Sequence, residues 1–151
     1  MSKLIDIDIS DNMFKEMLNA LKKDVTEKTA LIDAEIGAYG ELMATSAKNL
    51  VSGNDAIDTG RLLNSISLKK EQFLSYNLVA QTDYAAYIEF GTGTYAASYV
   101  PSLEKEWQDI AIKFKGKNDP SKPLPSRPYM RPSILAYQKP LKEAIIKILN
   151  K

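Results

Sequence analysis

The chain has 151 residues, of which 44% are hydrophobic and 26% charged, the ordinary composition of one globular domain. It contains no cysteine and no histidine, which excludes disulfide scaffolds, thiol nucleophiles, imidazole bases and zinc sites built from those ligands. No apolar run is long enough to span a membrane, and acidic residues interrupt the N-terminus where a signal peptide needs an apolar stretch. We therefore expect one domain over residues 1–151, with no cofactor and no membrane contact.

Charge is distributed unevenly along the chain, although the formal net charge is only +1. Residues 1–60 carry 6 Lys and 11 acidic residues, whereas residues 122–151 carry 7 basic residues and 1 acidic residue. This asymmetry is consistent with head-to-tail assembly of identical copies or with a basic surface for nucleic acid. It is equally consistent with the two ends packing against each other within one copy.

The first third of the sequence predicts a short strand and then a long helix. Residues 4–9 alternate apolar and acidic side chains, as a strand with one buried face does. Ser10 is placed to cap a helix, and the apolar spacing that follows fits one long helix or two helices broken near residues 26–29. We favour one helix with a bend. Its predicted apolar stripe is Phe14, Leu18, Leu21, Val25, Ile32, Ile36, Tyr39, Met43, Ser46 and Leu50.

The middle of the chain predicts short elements joined by turns. Residues 60–65 fit a short turn of helix, and alternation over 65–69 and 77–82 predicts an antiparallel hairpin connected by 70–76. A helical run then ends at Gly91, which begins a Gly-Thr-Gly sequence.

The remainder predicts a long loop and a final helix. Residues 94–126 lack clean periodicity apart from a helical spacing over 103–114, and we expect a mobile loop within 94–126. Residues 127–132 lead into the last helix, and Pro140 is expected to kink it. These elements predict an α+β fold in which a long N-terminal helix and a C-terminal helix pack on a small antiparallel sheet, with a long irregular loop.

Sequence patterns for catalysis are weak. The glycines at 91 and 93 could bind phosphate, but they lack the Lys-Ser/Thr of a P-loop and favour a tight turn. Asp58, Asp83 and Glu89 could supply the paired carboxylates of a hydrolase. Turn or capping roles for the two aspartates, and an arginine partner for Glu89, are the simpler interpretations. We therefore do not expect an enzyme.

Three segments in order carry a recognisable pattern: IDTGRLLNSI at 57–66, DYAAYIEFGTG at 83–93 and RPYMRPS at 127–133. Together they resemble the tail-component, or head-to-tail joining, family of long-tailed double-stranded DNA bacteriophages and prophages, which comprises small neck and tail-completion proteins. The resemblance extends over residues 10–151. It departs from the family's layout in the insert, residues 94–126, which is long and contains a helix-like segment with Trp107.

The resemblance implies a structural virion protein that forms a ring, normally a hexamer, at the head–tail junction and joins head to tail. The implied partners are other copies of the chain, connector or neck proteins and tail tube proteins, with non-specific contact to DNA in the channel left open. The implied location is the virion, and the host cytoplasm during assembly. Tail completion or termination and a head-side neck position both remain open, and a DNA-binding accessory protein of phage assembly is the alternative.

The motif residues are expected to stabilise the subunit or to form the subunit interface. We expect Asp58, Thr59 and Gly60 to shape the turn from helix to sheet. Arg61 is expected to reach Glu89 or an acid of a neighbouring copy. Arg127 and Arg131 are expected to lie near Glu89 or at the subunit boundary. The full set is Asp58, Thr59, Gly60, Arg61, Tyr84, Tyr87, Glu89, Phe90, Gly91, Arg127, Pro128 and Arg131.

Overall fold

The computed structural model describes residues 5–9, 26–53, 59–114 and 123–151, with Thr26 and Thr59 described by their backbones alone. The predictions for residues 10–25, for Asp58 and for residues 115–122 lie outside these described residues, so the choice between one and two N-terminal helices does as well. The described elements form an α+β fold, as predicted.

Three short strands form an antiparallel sheet in the order β1-β3-β2. Strand β1 spans Ile5–Asp8, β2 spans Ile66–Gln72 and β3 spans Ser75–Ala80. Ile7 of β1 and Leu68 of β2 both lie opposite Leu78 of the central strand. Because side chains alternate between the faces of a sheet, these three residues belong to one apolar face. The predicted N-terminal strand is therefore confirmed.

The β2–β3 hairpin is longer and tighter than predicted. The predicted connection of seven residues is reduced to Phe73 and Leu74, and the ladder has an irregularity between Lys70 and Gln72. Leu74 has a φ of 65°, a left-handed conformation that leucine rarely adopts. The turn contains no glycine or asparagine, and this explains why the sequence pattern did not reveal it.

Helix α1, Thr26–Gly53, lies against the apolar face of the sheet. Two glycines permit the close approach: a Cβ atom on Gly40 would lie 2.7 Å from Cδ1 of Leu68, and one on Gly37 would lie 3.1 Å from the Tyr76 hydroxyl. Within the described part of the predicted stripe, Ile32, Ile36 and Met43 are buried as predicted, whereas Tyr39, Ser46 and Leu50 are half-buried. The buried apolar positions of α1 that the stripe did not include are Gly40, Ala44, Ala47 and Val51.

Helix α6, Met130–Leu149, runs antiparallel to α1 beside it. The Lys28 ammonium near the start of α1 donates to the Leu149 carbonyl at 3.2 Å, and the rings of Tyr39 and Tyr137 lie 6.4 Å apart. Pro140 lies inside the helix, which continues through it. The start of α1 therefore lies beside the end of α6.

Short helices flank the hairpin: α2 spans Thr59–Ser65 before it, and α3 spans Ala85–Phe90 after it. The segment between α3 and α6 is more regular than expected. The prediction of irregular chain from residue 94 is wrong at its start, because α4 spans Gly93–Tyr99 and a 3₁₀ turn spans Val100–Ser102. No residue of α4 is buried, so the helix leaves no apolar stripe in the sequence. Helix α5, Lys105–Ile112, confirms the predicted helix around Trp107.

Candidate functional site

The second and third motif segments meet at the N-terminus of α6. Glu89 on α3 is fully buried, and its carboxylate accepts three main-chain hydrogen bonds. Oε2 accepts from the N–H groups of Tyr129 and Met130 at 2.7 and 2.8 Å, and Oε1 accepts from the N–H of Arg131 at 2.9 Å. The first N–H groups of a helix have no partner within the helix. A carboxylate from a distant helix satisfies them here and also interacts favourably with the helix dipole.

Main-chain hydrogen bonds extend this connection on both sides. The N–H of Arg127 donates to the Ile88 carbonyl at 2.7 Å, and the N–H of Thr92 donates to the Leu124 carbonyl at 2.9 Å. The Leu124 N–H in turn donates to the Thr92 hydroxyl at 2.7 Å. Residues 88–92 and 124–131 are therefore held side by side.

Gly91 is required in this arrangement for two separate reasons. Its φ is +74°, and a Cβ atom there would lie 2.7 Å from the main-chain nitrogen of Ser126. Since the Thr92 N–H is already bonded to Leu124, the Gly-Thr-Gly sequence forms a tight turn, the favoured alternative to a phosphate loop. A short helix does follow these glycines, contrary to the predicted order, in which the helix only precedes them.

Tyr129 closes the cluster from the other side. Its side chain is fully buried and its hydroxyl donates to the Ala85 carbonyl at 2.9 Å. Burial, and after it the nearby Glu89 carboxylate, raise the pKa of Tyr129 well above its ordinary value. The hydroxyl of Ser133 donates to the Tyr129 carbonyl at 2.6 Å. The residue before α6 is thus held at both its main chain and its side chain.

Burial raises the pKa of Glu89, and the three main-chain N–H groups and Arg131 lower it by less. Both carboxylate oxygens are occupied by the protein's own main chain. Glu89 is therefore a structural capping group here, and its geometry does not match a catalytic carboxylate that faces a substrate.

Arg131 contacts Glu89 through its main chain only, and its side chain binds another acid. Nε and Nη2 donate to the two carboxylate oxygens of Glu104 at 2.9 and 2.7 Å. The hydrogen bonds from Arg131 lower the pKa of Glu104 to about 2. Glu104 precedes α5, so this bidentate pair joins the insert to the start of α6.

The first motif segment adjoins the second at a different point from the one expected. Arg61 does not reach Glu89: its Nη2 lies 3.5 Å from Oδ1 of Asp83, and its guanidinium lies 5.6 Å from the centre of the Tyr84 ring. Both charged side chains are largely exposed. Gly60 has open space around its Cα, so it carries no steric requirement of the kind found at Gly91.

The remaining motif residues surround this cluster. Phe90 is buried beside Trp107, with ring centres 6.4 Å apart. The residues that are half-buried are Tyr84, Tyr87, Arg127 and Pro128. Of the predicted site residues, Asp58 and the side chain of Thr59 lie outside the described part of the chain.

Asp33 forms a second buried cluster that the sequence did not reveal. Its side chain on α1 is 12% exposed and reaches the β2–β3 hairpin. Oδ1 accepts from the Leu74 N–H at 2.7 Å, and Oδ2 accepts from the Lys70 ammonium and the Tyr76 hydroxyl at 2.6 and 3.2 Å. Burial alone would raise the pKa of Asp33, but these hydrogen bonds outweigh it and hold the pKa below its ordinary value. The one signal for this cluster in the sequence is an acidic residue directly after Ile32, at the edge of the apolar stripe.

A groove of about 240 Å³ lies between β1, α5 and α6. Its lining is mostly apolar, with acidic residues contributed by β1 and by the start of α5. The lining residues are Ile7, Ile9, Trp107, Ile110, Ile134 and Leu135, together with Asp8, Glu104, Glu106 and Gln138.

Among the described residues, no group of three or more acidic side chains is arranged to hold a metal ion. No helix in the described part of the chain is long and apolar enough to cross a membrane. Comparisons of the chain with protein-family models, with curated proteins and with solved structures found no match.

Proposed function

We propose that this chain is a structural virion protein of a long-tailed bacteriophage or prophage. In this role it forms a ring, a hexamer in this proposal, at the head–tail junction and joins head to tail as a tail-completion or neck protein. It performs no catalysis in this proposal. Its partners are other copies of itself, connector or neck proteins and tail tube proteins.

The observation that supports this proposal is the meeting of the three motif segments in space. Segments 83–93 and 127–133 meet through the buried Glu89 carboxylate, and segment 57–66 adjoins them through Arg61, Asp83 and Tyr84. Contact among the three segments is what we expect of motifs that specify a common subunit framework.

Immunogold electron microscopy of tailed particles from the source is the direct test. We expect an antibody to this chain to label the junction between head and tail. Pre-immune serum and particles treated to expose internal epitopes are the controls. Label elsewhere on the virion, or none on particles with accessible epitopes, would contradict the proposed role.

A DNA-binding accessory protein remains the second candidate, because the lysines of α6 face solvent. Four lysines of the C-terminal segment are exposed: Lys139, Lys142, Lys147 and Lys151. Lysines on one exposed helix can neutralise DNA phosphates without reading sequence. Salt-dependent DNA binding therefore separates this candidate from a purely structural ring.

A further inference from the structure

Two exposed stripes, one on α1 and one on α6, have the same spacing and opposite charge. The acidic stripe is Leu31, Glu35, Ala38 and Leu42, and the basic stripe is Leu135, Lys139, Lys142 and Ile146. Each follows the spacing i, i+4, i+7, i+11, which keeps all four residues on one side of a helix. The apolar residues at the two ends of each stripe are separated by three turns, about 16 Å.

Seven of the eight stripe residues are exposed within the subunit, and Glu35 is half-buried. Leu31 and Leu42 are 51% and 44% exposed, and Leu135 and Ile146 are 41% and 38% exposed. The contact between α1 and α6 uses other residues, among them Tyr39 and Tyr137. Neither stripe therefore covers the other in the same copy.

The charged residues between the apolar ends are also uncompensated in the described part of the chain. Its ion pairs involve Arg61, Lys70, Lys105 and Arg131, and none of them includes Glu35, Lys139 or Lys142. Large exposed apolar side chains beside unpaired charges are typical of surfaces that contact a partner.

We propose that the acidic stripe of one copy binds the basic stripe of the next copy. Apolar residues then meet at both ends of the contact, and Glu35 lies between them opposite a lysine. The match holds with the helices parallel, which pairs Glu35 with Lys139, and with the helices antiparallel, which pairs it with Lys142. Because the two stripes are different surfaces, the contact is head-to-tail and closes into a ring if the rotation between copies allows. The inference rests on the proposed function in that it assumes assembly from identical copies.

Engineered disulfides test the contact directly, since the chain has no native cysteine. We expect either Glu35→Cys with Lys139→Cys or Glu35→Cys with Lys142→Cys to give an oxidised ladder of dimers, trimers and larger species on non-reducing gels. Glu35→Cys alone cannot extend beyond a dimer. The matched control is Ala30→Cys with Glu143→Cys, two exposed positions outside both stripes. No ladder from either stripe pair, or an equal ladder from the control, would overturn the inference.

Charge reversal provides a second measurement that does not depend on cysteine chemistry. We expect Glu35→Lys to weaken self-association about tenfold in sedimentation experiments at low salt, and the added changes Lys139→Glu and Lys142→Glu to restore it. Circular dichroism checks that each variant is folded. A wild-type chain that stays monomeric at every concentration, or a reversal without effect, would reject the contact.

The outcomes for the contact and for the proposed function can be told apart. Gold label at the head–tail junction without a disulfide ladder retains the virion role and rejects the stripes. A ladder without junction label retains the stripes and rejects the virion role.

Discussion

At the residue scale, Glu89 determines where α6 begins. Its carboxylate holds the N–H groups of three consecutive residues, Tyr129, Met130 and Arg131. Sequence reasoning expected an arginine side chain as its partner. Main-chain N–H groups compete successfully for the carboxylate because a buried helix N-terminus leaves them without any other acceptor.

Removal of the Glu89 carboxylate should therefore be costly. We expect Glu89→Ala to lower the free energy of unfolding by about 3 kcal/mol or more, because two buried N–H groups and one half-buried N–H group lose their acceptor. Urea denaturation measures this, with Glu143→Ala on the exposed side of α6 as the matched control. A loss no greater than that of the control would show that the N–H groups find water or another acceptor.

The raised pKa of Glu89 predicts a particular pH dependence. The folded protein holds a proton on Glu89 at higher pH than the unfolded chain does, so this group's contribution to stability falls as pH rises above 4.5 through the folded pKa. Glu89→Gln removes that dependence. We expect the difference in unfolding free energy between wild type and Glu89→Gln to be larger at pH 5 than at pH 7. The same difference at both pH values, or a larger one at pH 7, would mean that the pKa of Glu89 is not raised.

Two of the motif glycines, Gly60 and Gly91, should respond differently to substitution. Gly91→Ala forces a Cβ atom against Ser126 at a positive φ and should cost about 2 kcal/mol or more in thermal or urea unfolding. Gly60→Ala is the matched control, because nothing lies within 4 Å of its added Cβ and alanine favours a helix. Similar losses at both positions would contradict the steric argument.

At the scale of elements, the β2–β3 hairpin depends on a helix that is distant in sequence. Asp33 of α1 accepts the Leu74 N–H and so stabilises a leucine in a left-handed conformation. Local turn chemistry would have placed glycine or asparagine there. The hairpin was predicted from its alternation, but its two-residue turn required knowledge of what packs beside it.

Asp33→Ala should loosen this turn. The Leu74 N–H loses its acceptor while the strained backbone remains, so we expect its amide hydrogen exchange to accelerate at least about tenfold. Asp33→Asn retains an acceptor oxygen and should show a smaller change, and Glu41→Ala on the exposed side of α1 is the control. Unchanged exchange at Leu74 in Asp33→Ala would refute the role of the carboxylate.

Element prediction succeeded where a periodic apolar pattern reflected burial. Strand β1 and the Trp107 helix were predicted from such patterns, and both are present. Helix α4 was missed because none of its residues is buried, so its sequence contains no periodic signal. In α1, the predicted stripe included Tyr39, Ser46 and Leu50, which are half-buried, and missed Gly40, Ala44 and Ala47, which are buried but carry little hydrophobic signal.

At the scale of the whole molecule, α1 of the acidic end lies beside α6 of the basic end, and among the described residues no ion pair joins these two helices. Helices α1 and α6 pack through apolar and aromatic contacts such as Tyr39 with Tyr137. Packing of the two ends within one copy, one of the sequence alternatives, is thus present. In the described part of the chain, however, the charges on the outer sides of these helices remain available to a partner.

Salt dependence distinguishes the two candidate roles of the basic face. A DNA-binding accessory protein should lose affinity for a short duplex steeply between low and physiological salt. A triple variant of Lys139, Lys142 and Lys147 to Gln should reduce the slope of log affinity against log salt concentration by about 3. A structural ring predicts only weak binding, with no such change. Fluorescence anisotropy measures both quantities, with Lys48→Gln, Lys105→Gln and Lys113→Gln as a charge-matched control.

The sequence by itself determined the fold class, the central hairpin, the Trp107 helix and the motif segments, because each depends on local spacing and residue type. Tertiary structure alone decided what Glu89 and Asp33 bind and which of the motif glycines is sterically required. It also decided which side of each helix remains exposed. These features depend on contacts between residues about 40 positions apart, as between Glu89 and Tyr129 or Asp33 and Leu74. No local periodicity records such contacts, since the acceptor and the donor are brought together only by packing of the elements that carry them.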